Sequence, residues 1–177
     1  MQIDLTLNDR FVDPLEEGFE VMVRIGEVED TSLVAHALAP YRLIACASPD
    51  YLAKRGTPRT PSEFQHHDCL AYAYWSPSIP CRWQFTRAGQ VEEIQATGRI
   101  RSNDWKMLLH AAVEGYGITL GPEGVLSGEI AAGRLVRVLP DYEGPSRPMH
   151  VLYPAGRRPT VKVKSFVDAI VDEFGLK

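Results

Sequence analysis

Few side chains of this sequence stand at spacings that could support catalysis or metal binding. The stretch SNDWKMLLHAAVEGYGITLGPE, residues 102–123, places Asn103 and Asp104 directly before an apolar-periodic helix. His66 and His67 are adjacent, so in a regular element they point in different directions and make a poor metal pair. The sequence contains no nucleophile elbow, phosphate-binding loop, dinucleotide fingerprint or zinc-binding helix motif. It therefore predicts no catalytic residue, no metal site and no cofactor.

The polar residues before this helix have several interpretations. Ser102, Asn103 or Asp104 can cap a helix whose apolar face begins at Trp105, which is ordinary architecture. A helix N-terminus that faces a cleft also presents unpaired N–H groups and positive potential, which can hold a carboxylate or another anion. A general base at Asp104 or His110 is a third interpretation, supported only by isolated residues.

Further candidate ligand residues lie where predicted strands end. Arg24 follows EVMV and could bind a carboxylate, or else pair with an acidic residue of the next segment. Asn8 and Asp9 end the first predicted strand, and Ser48 ends a later one. Open α/β sheets bind ligands at strand ends, although these residue types are also common in turns.

Composition and charge exclude several classes of protein. The 177 residues carry a net charge of -4, so this chain alone is not expected to bind nucleic acid, which requires a positive face. Cys46, Cys69 and Cys81 lack metal-ligand spacing, which indicates structural thiols in a reducing, cytoplasmic setting. No apolar run approaches the roughly 18 residues that span a bilayer, and no signal peptide is recognised.

Strands alternate with helices along the chain, which predicts an α/β fold with mainly parallel strand pairing. The predicted strands include QIDLTLND, EVMVRIGE, SLVAHALAP, YRLIACASP, GITLGP, RLVRVLP and PMHVLYP, and a hairpin is expected to turn at Gly89. Helices are predicted from Asp13 and over the apolar stripe that ends at Phe174. Two lobes are expected, residues 1–40 with 147–177 and residues 41–146.

The order of several segments resembles one known family. In chain order, these segments are IDLTLNDRFVDPLEEGFEVMVRIGEVEDTSLVAHAL, LIACASPDYLAKRGTPRTPSEFQHHDCL, WQF, SNDWKMLLHAAVEGYGITLGPE and GRLVRVLP. The order of four motifs indicates the family more specifically than any one motif alone. These motifs are VRIGE, SPDYLAKRGTP, HDCL and GYGITLGP. Over essentially its whole length, the sequence resembles the effector-binding domain of LysR-type transcriptional regulators.

The resemblance implies a fold and a set of ligand residues. Two Rossmann-like lobes, similar to a type 2 periplasmic binding protein, would be hinged by two crossing strands, with a small-molecule effector in the cleft. The positions that correspond to cleft-lining positions of the family are Asn8, Asp9, Arg24, Gly26, Ser48, Asn103, Asp104 and Trp105.

The resemblance also implies a longer protein. A DNA-binding winged helix-turn-helix, a linker helix, and the first strand and helix of the effector domain are expected before Met1. The expected function is to sense a small polar or anionic metabolite and thereby to change DNA binding and transcription. Homodimers or tetramers would form through this domain, with DNA contacted only through the missing one. A stand-alone solute-binding protein of the same fold, which would serve a transporter, is the alternative.

Overall fold

The computed structural model describes residues 2–7, 18–28, 30–73, 80–156 and 158–176. In chain order its elements are β1 (Met22–Ile25), β2 (Leu33–Ala47), α1 (Pro49–Arg55), a 3₁₀ helix (Pro61–His66), β3 (Cys69–Tyr72), β4 (Arg82–Arg87), β5 (Gln90–Gln95), β6 (Arg101–Ser102), α2 (Trp105–Val113), β7 (Ile118–Pro122), α3 (Glu123–Ala131), β8 (Val136–Arg137), β9 (Ser146–Pro154) and α4 (Val161–Phe174).

The chain divides into two compact units. The first unit comprises Met1–Tyr41 and Arg147–Lys177, and the second comprises Arg42–Ser146. The long strand β2 contributes its first part to the first unit and its remainder to the second, and β9 returns the chain to the first unit. Two strands therefore carry the chain between the units.

In the first unit, α4 packs on a small sheet in which β9 lies between β1 and β2. The helix begins at a cap, because the Thr160 hydroxyl accepts the Val163 N–H at 3.3 Å. Val163 and Val167 are buried with Val151 of β9, as the apolar stripe predicts. Phe174, the last residue of the predicted stripe, remains 49% exposed.

In the second unit the strand order is β2-β7-β3-β6, and β8 also pairs with β2. Alternate residues of β2 enter two different apolar clusters, which places one cluster on each face of the sheet. The first cluster contains Phe64, Trp83 and Phe85, from the 3₁₀ helix and the β4–β5 hairpin. The second cluster packs α2 and α3 on the sheet, with Leu108 and Leu126 fully buried.

The prediction of mainly parallel pairing is wrong. Among the described strands, the parallel pairs are β3 with β6 and β3 with β7. The antiparallel pairs are β1 with β9, β2 with β7, β2 with β8 and β4 with β5. The hairpin and the two strands that cross between units produce these antiparallel pairs, so the fold is α/β with mixed pairing.

Four predicted strands differ in the structure. SLVAHALAP and YRLIACASP form the single strand β2, because the fixed φ of Pro40 is compatible with extended backbone. The predicted strand RLVRVLP shortens to β8, because Leu139 turns the chain with a φ of 52°. Residues 2–7 have no regular secondary structure and are exposed. The helix predicted from Asp13 lies outside the described residues.

Candidate functional site

The turn before α2 is held by two polar side chains. The Ser102 hydroxyl accepts the Asp104 N–H at 3.0 Å. Asp104 Oδ1 accepts the N–H groups of Lys106 at 2.8 Å and Met107 at 3.4 Å. Asp104 is therefore the helix cap, and its carboxylate already neutralises the first turn where an added anion would bind. Asn103 is exposed beside it.

Trp105 fixes the start of α2 on the sheet. Its half-buried indole lies against the second apolar cluster and directly over Gly121 of β7. A Cβ at position 121 would overlap the indole ring, so a glycine is required there while the indole keeps this position. Indole Nε1 is buried and has no hydrogen-bond partner among the described residues. Trp105 thus positions Asn103 and Asp104 by packing.

These residues lie at the edge of the second unit where the chain enters and leaves, which we call the crossover edge. Leu43, one residue after the entry at Arg42, pairs with Pro122 at the end of β7. The Leu43 N–H also donates to the Pro145 carbonyl at 2.8 Å, just before the exit. β3, β6 and β7 run parallel, so their carboxyl ends, including Ser102, meet at this same edge.

Ser48 lies at the opposite edge of the second unit, which corrects the expectation that it shares an edge with Asn103 and Asp104. β2 is antiparallel to β7, so β2 ends where β7 begins. The Ser48 side chain is 3% exposed, and its hydroxyl accepts the Tyr51 N–H at 3.2 Å. Ser48 therefore caps α1 and lies away from the crossover edge.

In the first unit, Arg24 and Gly26 lie at the corresponding crossover edge. The Gly26 N–H donates to the Pro148 carbonyl at 2.8 Å, next to Arg147 where β9 enters the unit. Gly26 has a φ of 123°, a conformation that favours glycine. Arg24 is half-buried in β1. Asn8 and Asp9 lie outside the described residues.

The alternative role of Arg24 as an ion-pair partner has some support. Two hydrogen bonds from Ser32 lower the pKa of Asp30, and the positive charge of Arg24 lowers it further. The two charges are therefore close enough to interact, although Asp30 is fully exposed and water screens the interaction.

Sequence reasoning missed two residues near these edges. Gly121 is one of 14 glycines. A side chain is excluded at this position because the indole ring of Trp105, 16 positions earlier in the chain, lies against it. His150 lies directly opposite Arg24 in the β1–β9 pair, and its buried Nδ1 has no described partner. Neither feature has a local sequence signal, because both arise from contacts between distant segments.

The described residues contain no group of three or more His, Cys, Asp or Glu side chains that could hold a metal ion. Across the same residues, no helix is long and apolar enough to cross a bilayer.

Comparison with protein families decides what kind of domain this is. The model of the LysR substrate binding domain matches residues 1–175. This chain belongs to that family. The resemblance seen in the sequence is thereby confirmed, and LysR regulatory domains of solved structure share the periplasmic-binding-protein-like fold.

The relatives of this LysR domain are transcriptional regulators. An uncharacterized HTH-type transcriptional regulator of Haemophilus influenzae is 32% identical over 163 residues, which is 92% of this chain and 56% of that protein. The HTH-type transcriptional regulator PtxR of Pseudomonas aeruginosa is 31% identical over 179 residues, 99% of this chain and 55% of PtxR. The chain therefore spans about half the length of these relatives.

Solved structures give the same result. The full-length virulence activator AphB of Vibrio cholerae, a LysR-family protein, matches with a TM-score of 0.84 and 29% identity, over 98% of this chain and 58% of AphB. The regulatory domain of CrgA from Neisseria meningitidis matches with a TM-score of 0.75 and 25% identity, over 91% of this chain and 78% of that domain.

Proposed function

We propose that this LysR substrate-binding domain senses a small polar or anionic metabolite through residues at the crossover edges, and that the longer protein transmits this binding to DNA. One observation carries the proposal. In each unit, taken separately, candidate polar residues lie at the edge where the chain crosses. Arg24 and Gly26 do so in the first unit, and Asn103 and Asp104 in the second.

The charges at these edges suggest the chemistry of the ligand. Arg24 supplies a guanidinium, which suits a carboxylate or another anion. Asp104 supplies carboxylate oxygens, and Oδ2 is not used by the cap bonds to Lys106 and Met107. The first-unit edge would suit an anionic group, and the second-unit edge would suit a hydrogen-bond donor. Asn103 adds an exposed amide that can donate and accept.

A ligand can regulate only if it binds two arrangements of the protein with different affinity. We propose that the ligand favours one arrangement of the regulator's subunits, and that DNA-binding domains elsewhere in the longer protein meet their operator differently as a result. As part of the same proposal, the regulator forms homodimers or tetramers, lies in the cytoplasm and has no enzymatic activity. The relatives named above are transcriptional regulators, which favours this proposal over the solute-binding alternative.

Variants at the crossover edge of each unit, with a control at the opposite edge of the second unit, test the site. A thermal-shift screen with organic acids, amino acids and sugars would identify a ligand, and calorimetry would give its affinity. Arg24→Gln and Asn103→Ala should each weaken binding by about tenfold or more, as expected for loss of a hydrogen bond to a charged group. Ser48→Ala is the matched control, because it removes a cap at the opposite edge and should lower stability without changing affinity.

Asp104 requires two variants, since it is both a cap and a candidate ligand residue. Asp104→Asn keeps a capping side chain but removes the charge, whereas Asp104→Ala removes both and should cost about 1 kcal/mol of stability. Weaker binding with unchanged stability in Asp104→Asn would support ligand contact. If Ser48→Ala weakened binding while the variants of Arg24, Asn103 and Asp104 did not, the site would lie elsewhere.

The regulatory part is tested on the full-length protein. Operator affinity, measured by fluorescence anisotropy with and without saturating ligand, should change together with the hydrodynamic radius. Unchanged values of both would contradict the switching mechanism while leaving ligand binding intact.

A further inference from the structure

A buried hydrogen bond joins α1 to the segment after the 3₁₀ helix, far from the crossover edge of the second unit. Tyr51 is 4% exposed and His67 is 8% exposed. Tyr51 Oη lies 3.2 Å from His67 Nδ1, and the two ring centroids are 5.8 Å apart. The ligand proposal uses neither side chain.

Tyr51 Oη takes part in a second hydrogen bond. The Asp68 N–H donates to Tyr51 Oη at 2.9 Å, so the tyrosine oxygen is the acceptor there. The single hydroxyl hydrogen is then available for His67 Nδ1, which must carry a free lone pair to accept it. A neutral His67 with its hydrogen on Nε2 provides that lone pair.

Charged groups from each neighbouring element surround the imidazole. Burial lowers the pKa of His67, and the positive charge of Arg55 on α1 acts in the same direction. Glu63 of the 3₁₀ helix opposes this effect, His66 reinforces it, and Asp68 opposes it more weakly. The negative charge of Asp68 is itself paired with Arg99, at 3.2 Å.

We propose that the Tyr51–His67 hydrogen bond stabilises the second unit only while His67 is neutral, so that acid weakens this unit. Protonation of Nδ1 removes the acceptor of the Tyr51 hydroxyl and places a charge in a buried site, so α1 loses this hydrogen bond and keeps the one from the Asp68 N–H to Tyr51 Oη. The inference goes beyond the proposed effector sensing, because it concerns a response to pH that needs no ligand.

The sign of the pH effect follows from linkage. The folded-state pKa of His67 is below the ordinary histidine value, so the unfolded chain takes up the proton first as the pH falls. The stability that neutral His67 contributes is fully present above the ordinary histidine pKa of about 6.5. It decreases as the pH falls through that value, and the decrease ends once the folded-state histidine is also protonated.

The adjacent histidine provides a matched control. Urea unfolding of the native chain, His67→Gln and His66→Gln would be measured between about pH 5 and pH 8, around the ordinary histidine pKa. In the native chain and in His66→Gln, which alters an exposed side chain, the unfolding equilibrium constant should rise by up to about tenfold per pH unit of acidification. The His67→Gln profile should be flatter over the same range.

An NMR measurement keeps the proposal testable if His67→Gln does not fold. Long-range ¹H–¹⁵N spectra of the native chain should show His67 with its hydrogen on Nε2 at pH 7, and a titration below the ordinary histidine value of about 6.5. A hydrogen on Nδ1 at pH 7 would overturn the proposal. A pH profile that flattens in His66→Gln but not in His67→Gln would overturn it as well.

Discussion

Thr119 is a buried residue whose polar atom has no partner. It lies in β7, opposite Cys46 of β2 and Leu70 of β3, and its side chain is 0% exposed. Its hydroxyl oxygen has no hydrogen-bond partner among the described residues. A buried hydroxyl without a partner lowers stability, because it loses its hydrogen bonds to water on folding.

Thr119→Val should therefore stabilise the protein. The substitution replaces the hydroxyl with a methyl group of similar size, so the free energy of unfolding should increase by about 1 kcal/mol. Urea denaturation would measure the change. Thr119→Ala is the control, because it also removes the hydroxyl but leaves a cavity, and it should not stabilise. A loss of stability in Thr119→Val would show that the hydroxyl has a partner, such as a bound water.

The three thiols should differ in reactivity. Burial raises the pKa of Cys46 and of Cys69 to about 12, and both side chains are 0% exposed. Cys81 is half-buried, and burial raises its pKa too. Since the thiolate is the reactive form, an aromatic disulfide reagent at pH 8 should modify Cys81 first. Cys46 and Cys69 should react only in urea, and mass spectrometry of the peptides would assign each site.

At the scale of elements, the packing of α2 on β7 depends on the absence of a side chain at one position. Gly121→Ala would force the Trp105 indole off the sheet, and such overpacking typically costs about 1–3 kcal/mol. Gly124→Ala is the control, because a Cβ on this α3 residue meets nothing within 4 Å. That variant should be neutral or stabilising by about 0.5–1 kcal/mol.

A double variant separates overpacking from a general backbone effect. Adding Trp105→Leu to Gly121→Ala removes the ring that the new methyl group meets, so the two substitutions should together cost less than the sum of their separate effects. Thermal or urea unfolding of the four proteins in the cycle measures the coupling. Additive effects would show that the indole does not restrict position 121.

The elements themselves were largely predictable. Asp104 caps α2 and Thr160 caps α4, and the hairpin turns at Ala88 and Gly89, which both have positive φ. These features depend on residues close together in the sequence. Thr60 directly precedes the 3₁₀ helix. Its hydroxyl makes no cap bond to the 3₁₀ helix, and Glu63 instead accepts the Arg59 N–H at 2.9 Å.

At the scale of the whole molecule, the two units differ in the size of their cores. The described cluster of the first unit contains four buried residues, Leu38, Val151, Val163 and Val167. The second unit has two clusters, which include large fully buried side chains such as Phe64 and Leu108. Local stability follows the amount of apolar burial, so the first unit should open more readily.

Hydrogen exchange followed by mass spectrometry would test this difference. Backbone amides of β9 and α4 should exchange faster than those of β3 and β7, because the smaller core opens at a lower free energy cost. Equal protection in both units would show that they unfold as a single cooperative body. The bound ligand, once identified, should slow exchange most around Gly26 and Ser102 if the proposed site is right.

The sequence by itself determined the family, the α/β class, a polar cap before α2 and the apolar stripe of α4, since these depend on residue order and on contacts within a few positions. Only the tertiary structure decided that Ser48 lies opposite Asn103 in the second unit, because that follows from the antiparallel direction of β2 against β7. It also placed the Trp105 indole over Gly121 and joined Tyr51 to His67. Such contacts link segments distant in the chain, and no local pattern of residues encodes them.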